Sequence, residues 1–95
     1  MSRSTGVEVM AKALDFLSNI KESYPASVKS FVALELTGDQ VADQLLSEIS
    51  LMMLQKLKVD GMVKTDDLSE PNAKIYGLTE HGVEMRRLFL ELTHA

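Results

Sequence analysis

The side chains best suited to recognition chemistry in this chain are Ser47, Ser50, Gln55 and Lys56, which share one stretch of helical periodicity, and Lys64 and Lys74, which flank a polar loop. Hydroxyls, amides and ammonium groups are the donors and acceptors that read base edges in a DNA groove and hold the phosphates beside it. The same residue types also make an ordinary solvated helix face. Lysines next to a short strand serve equally to discourage edge-to-edge sheet pairing. Asp66, Asp67 and Glu70 lie between the two lysines and would repel phosphate.

Groups for bond-making chemistry are missing. The chain has no cysteine, so it offers no thiolate nucleophile and no zinc thiolate. There is no G-x-S-x-G and no phosphate-cradling glycine loop. The two histidines, His81 and His94, have only Glu80 and Glu84 near the first of them in sequence. The expectation is a protein with no metal, no cofactor and no enzymatic activity.

Ninety-five residues suit a single domain, which buries only roughly 60–65% of its unfolded surface. Ten Lys and Arg face fourteen Asp and Glu, a net charge of −4. No strong overall field attracts nucleic acid, although a local basic face remains open. Apolar runs such as Leu51–Leu54 are far short of the about 18–20 residues of a membrane span. The N-terminus has no apolar signal-peptide core. A cytoplasmic protein with no membrane contact is expected.

The elements that would position these side chains follow from periodicity. Residues 1–6 are expected to be disordered, with Ser4 or Thr5 capping a helix over 7–23. Tyr24-Pro25 ends that helix and opens a second over 25–36, closed by Thr37-Gly38. Asp39 caps a third helix over 40–46, a turn falls at Ser47 or Glu48, and a fourth helix spans 49–59. Asp60-Gly61 is a clean stop, since glycine supplies positive φ. Strands at 62–65 and 73–78 form a hairpin around the polar loop. Thr79 then caps a last helix, 80–93. The fold class is mainly α with a small β-hairpin.

Leu57-Lys58-Val59-Asp60-Gly61-Met62-Val63 and Tyr76-Gly77-Leu78-Thr79-Glu80-His81-Gly82 resemble the two junctions of winged helix-turn-helix transcription regulators of the MarR and PadR type. In that pattern the first segment closes the recognition helix and opens the wing, and the second closes the wing and opens the last helix. The resemblance covers roughly residues 28–92. It implies a winged helix-turn-helix flanked by N- and C-terminal helices, and a small regulator of transcription. The helix at about 48–59 would read the major groove of double-stranded DNA with Ser47, Ser50, Gln55 and Lys56, and Lys64 and Lys74 would hold phosphate. Arg86 and Arg87 are further phosphate candidates. The helix is free of arginine and carries Met52 and Met53 side by side, which suits an adaptable protein-binding surface. A winged-helix module that binds protein and no DNA is therefore the alternative.

The terminal helices carry more apolar residues than one small domain needs to bury. Val9, Phe16, Leu17 and Ile20 in the first, with Leu88, Phe89 and Leu92 in the last, are the candidate dimer interface. The resemblance implies a homodimer joined through these helices, 7–23 and 80–93, which would present two reading helices to a pseudo-palindromic site.

Overall fold

The computed structural model describes residues 5–93. The expected cap at Ser4, the disorder expected of residues 1–4, and His94 lie outside them. The chain is mostly helical with a small antiparallel sheet: α1 (Thr5–Ser18), β1 (Ala26–Ser27), α2 (Val28–Val32), a 3-10 turn (Ala33–Glu35), α3 (Gln40–Val59), β2 (Val63–Thr65), β3 (Lys74–Leu78) and α4 (Glu80–Thr93). The sheet order is β1–β3–β2. No helix among the described residues is long and apolar enough to cross a membrane.

α1 already includes residues 5 and 6, which were expected to be disordered. It also stops five residues early. The Ser18 hydroxyl and the Asn19 amide both donate to the Asp15 carbonyl, at 2.8 and 2.9 Å. The backbone tightens to three-residue bonds from Asn19 to Phe16 and from Ile20 to Leu17. Short polar side chains compete here with the helical ladder and unwind it. The second helix is split likewise. Ala26 and Ser27 are extended and pair with Ile75 and Lys74 of β3, a strand that the sequence reading lacks. Ser27 (φ −85°, ψ 155°) accepts from the Ser30 N–H and caps the five-residue α2.

The largest correction concerns α3. The turn expected at Ser47 or Glu48 does not exist: residues 40–59 form one twenty-residue helix. No glycine or proline interrupts them. Ser50, Leu54 and Leu57 are buried along one i, i+4, i+7 stripe, so the buried face keeps its phase from the middle of the helix to its end. Asp39 caps this helix as expected, accepting from the Val41 and Ala42 N–H groups. Gly38 reaches φ +95° in the connector before it.

Asp43, one turn into α3, reaches back over that connector. Its carboxylate accepts from the Thr37 N–H (2.6 Å), the Thr37 hydroxyl (2.9 Å) and the Gly38 N–H (2.9 Å). The Thr37 backbone bond above all holds the carboxyl below its ordinary range; desolvation opposes it, and the Thr37 hydroxyl and the Gly38 N–H add to the lowering.

One core ties the elements together. Ala13 and Leu17 of α1, Phe31 of α2, Leu54 and Leu57 of α3, Val63 of β2 and Ile75 of β3 are all buried in it. The Phe16 and Phe31 rings lie 6.0 Å apart, tilted 60°. The β2–β3 hairpin pairs Val63 with Leu78, Lys64 with Gly77 and Thr65 with Ile75. Tyr76 is thus the extra residue of a bulge. Gly77 (φ +118°) lies so close to the end of α1 that a Cβ would sit 2.9 Å from the Ile20 carbonyl oxygen. Gly61 (φ +76°) turns α3 into β2. The Gly82 N–H bonds to the Thr79 hydroxyl at 3.0 Å, as expected of an N-cap.

Gly82 is packed tightest. A Cβ built on it would lie 1.9 Å from the Met62 carbonyl oxygen. Gly82→Ala should therefore lower the unfolding free energy by about 3 kcal/mol, visible as a lowered thermal midpoint, whereas Gly61→Asn should be tolerated, because asparagine accepts positive φ and the space there is open. The Asp43 clamp adds a pH dependence. A carboxyl with a depressed folded-state pKa stabilises above its unfolded pKa and loses that contribution as pH falls through the folded value. Urea melts should show Asp43→Asn less stable than the parent at pH 6, with the two converging as the pH drops below about 4.

Candidate interaction surface

The six candidate DNA contacts do not form one basic face. Ser50 is buried beneath α3, so its hydroxyl cannot meet a base edge. Ser47 is half-buried, and Gln55 and Lys56 are exposed. The Lys56 ammonium pairs with Asp60 at 3.1 Å. Lys64 pairs with Glu22 at 2.8 Å. Lys74 is exposed, and its backbone N–H donates to the Asp66 carboxylate at 3.1 Å.

Other cations are engaged too. Lys12 pairs with Glu35 (3.2 Å) and Arg86 with Asp15 (3.3 Å). Arg87 lies between Glu84 and Glu91 on its own helix, and Glu84 first, then Glu91, hold its guanidinium above its ordinary pKa. The Lys58 ammonium donates to the Asp66 carbonyl at 2.9 Å. Each exposed pair contributes little to stability, but each places a carboxylate beside a cation that phosphate would otherwise meet.

The hairpin loop is acidic for a structural reason. The Asp66 carboxylate accepts from the Lys74 N–H and from the Tyr76 hydroxyl at 2.9 Å. That bond, with desolvation and the charge of Asp66, raises the Tyr76 phenol above its ordinary pKa. Asp67 accepts from the backbone and hydroxyl of Ser69 at 3.0 and 2.8 Å. The two carboxylates brace the turn.

The candidate dimer residues divide. Leu17 is fully buried in the protomer core. Phe16 and Ile20 are half-buried and pack against that core, and Val9 is half-buried on α1. On α4, Leu88 and Leu92 are exposed and Phe89 is half-buried. A face of α4 is thus open, while α1 gives much of its apolar surface to its own core.

The apolar surface that the sequence reading found only at Met52 and Met53 runs along the whole of α3. Val41 (81% exposed), Leu45 (60%), Met52 (66%) and Val59 (81%) point outward, with Ile49 beside them. Together with Glu48 and Gln55, positions 41, 45, 48, 52, 55 and 59 are spaced four, three, four, three, four, so they form one straight seam along the helix. The expected break at Ser47 cut that seam in two and hid it. Met52 and Met53 also part company: Met52 is exposed, and Met53 packs against the core.

A surface groove of about 460 Å³ lies between α1 and the approach to α2 and is walled by Phe16, Ile20, Tyr24 and Leu34. Its polar lining is Lys12, Asp15, Asn19 and Ser30. Among the described residues no cluster of His, Asp and Glu is placed to hold a metal ion. No protein-family model, curated protein or solved structure matches the chain.

The outward seam and the buried stripe of α3 should respond oppositely to truncation. In urea melts at high dilution, Leu54→Ala should cost about 2–5 kcal/mol. Leu45→Ser and Met52→Ser should stay within about 0.5 kcal/mol of the parent. A Met52→Ser cost as large as that of Leu54→Ala would mean that the seam is packed rather than open.

Proposed function

We propose that this chain is a winged helix-turn-helix module that works by docking protein on the outer face of α3. The order of helix, short strand, short helix, long helix and hairpin, with β1 alongside β3, supports the winged-helix part of the reading. In it, the β2–β3 hairpin is the wing. Because α3 is unbroken, the helix-turn-helix consists of α2, the connector over 36–39 and α3, rather than two halves of 40–59.

That shift changes which residues occupy the reading position. A recognition helix meets base edges with its N-terminal residues. The exposed residues there are Gln40, Val41, Gln44, Leu45 and Glu48. They include no cation, and one is an anion. The apolar seam through Val41, Leu45 and Met52 carries the reading: side chains of this kind in an exposed row match a protein groove or helix, not a phosphate-lined one.

Binding of double-stranded DNA is the second reading. It is favoured by Lys29 and Lys74, which flank one groove between the start of α2 and the hairpin loop and form no ion pair among the described residues. In that reading they hold phosphate.

The test places a photo-cross-linking residue at position 52 or 45 in the native host, beside a mobility-shift series on mixed genomic duplexes at several salt concentrations. Protein docking predicts a discrete protein adduct at both positions and no shift even at low salt. No adduct, together with a salt-sensitive shift abolished by Lys29→Glu and Lys74→Glu, would replace it with the DNA reading.

A further inference from the structure

We infer that the occupant of the α3 face is a second copy of this chain, with the two helices packed antiparallel about a two-fold axis at Met52. The inference rests on the reading that this face docks protein, and it adds the partner and its orientation.

The outer face has a symmetry of its own. Its charged residues are Glu48 and Lys56, which stand four residues before and four residues after Met52. Leu45 and Val59, both strongly exposed, stand seven residues before and seven after it. Steps of four and seven return to the same side of a helix. An antiparallel pairing centred on Met52 therefore sets Met52 against its symmetry mate, each Glu48 against the other copy's Lys56, and each Leu45 against the other copy's Val59.

A parallel pairing does the reverse: Glu48 meets Glu48 and Lys56 meets Lys56. Charge thus selects the orientation, as charges flanking a coiled-coil seam do. Glu48 makes no ion pair among the described residues. Lys56 holds only the exposed pair with Asp60 on its own helix, which is weak and easily shared. The matched segment, 45–59, spans about 21 Å of helix at 1.5 Å per residue. An interface of that length lies at the small end of stable interfaces, so a concentration-dependent dimer is expected rather than a permanent one. Self-complementarity about one axis is what an isologous contact requires.

The chain has no cysteine, so single cysteines report the geometry cleanly. Met52→Cys should oxidise to a disulfide-linked dimer. Gln44→Cys should not, because in this pairing the two copies of residue 44 are about 24 Å apart along the helices. In sedimentation equilibrium the parent should show a monomer–dimer equilibrium. Glu48→Lys and Lys56→Glu should each weaken it at least tenfold, and an equimolar mixture of the two single variants should restore it, since both ion pairs are then complementary again. Circular dichroism melts of each variant check that folding is intact. A parent that stays monomeric up to millimolar concentration, disulfide formation at 44 as readily as at 52, or no recovery on mixing would overturn the inference. A monomeric parent that still gives a protein adduct at position 52 in its host would overturn the self-pairing alone, whereas absence of any adduct would also remove the docking reading.

Discussion

The contact of Gly82 with the Met62 carbonyl is the constraint on which the arrangement of the second half of the chain depends. At this point α3, β2, β3 and α4 come within a few residues of one another. The Met62 N–H bonds back to the Leu57 carbonyl, and the Met62 carbonyl accepts the Thr79 N–H. The Thr79 hydroxyl donates to the Gly61 carbonyl and accepts from the Gly82 N–H. One peptide unit thus closes a helix and opens a strand while bonding to the residue that ends the next strand and starts the next helix. The approach leaves no room for a side chain on the first turn of α4, and glycine at 82 is the sequence's answer. Gly82 is also the only residue of α4 buried in the protomer, so the register of that helix rests on this point.

Carboxylates play a similar local part throughout. Asp39 caps α3, Asp43 clamps the connector before it, and Asp66 and Asp67 brace the hairpin loop. Much of the acidic excess is accordingly spent on backbone N–H groups that would otherwise go unbonded. These aspartates place carboxylates at the N-terminal end of α3 and at the tip of the hairpin, where phosphate would meet like charge.

The junctions were legible in the sequence because they rest on residues with one strong physical reason. Gly61 after a run of helical periodicity, Asp39 before one and Thr79 after a strand each announce a terminus, and the structure places all three there. The elements that were misread lack such signals. Nothing in Ala26-Ser27 marks a strand; it is one only because β3 lies beside it. The early end of α1 comes from Ser18 and Asn19 turning back to Asp15, a choice that periodicity does not register. The turn expected at Ser47 or Glu48 was read from periodicity with no glycine or proline to mark it, and the chain offers no such breaker there. That error reached the candidate site. Dividing 40–59 brought Ser50 to the surface in expectation, while its place between Ser47 and Leu54 on the helix takes it inward. It also broke the apolar seam, which only an uninterrupted helix aligns.

The seam has to be explained apart from the fold. α3 needs its buried stripe from Ser50 to Leu57 to hold the core, but it gains nothing in the protomer from Val41, Leu45, Met52 and Val59. A helix of this length forms as readily with lysine, glutamate or glutamine at exposed positions, and those would cost no apolar surface in water. Each of the four retains half or more of its surface in solvent, in one row and on the side away from the core. Scattered exposed apolar residues are ordinary, but four of them aligned along one helix face are not. A partner helix lying along that row would also close it to a DNA groove, since one face of a helix about 10–12 Å across admits one occupant. Protein docking on α3 and base reading by α3 therefore exclude each other in this scaffold. A phosphate contact would then fall to the other side of the connector, where the ammonium groups of Lys29 and Lys74 form no ion pair among the described residues.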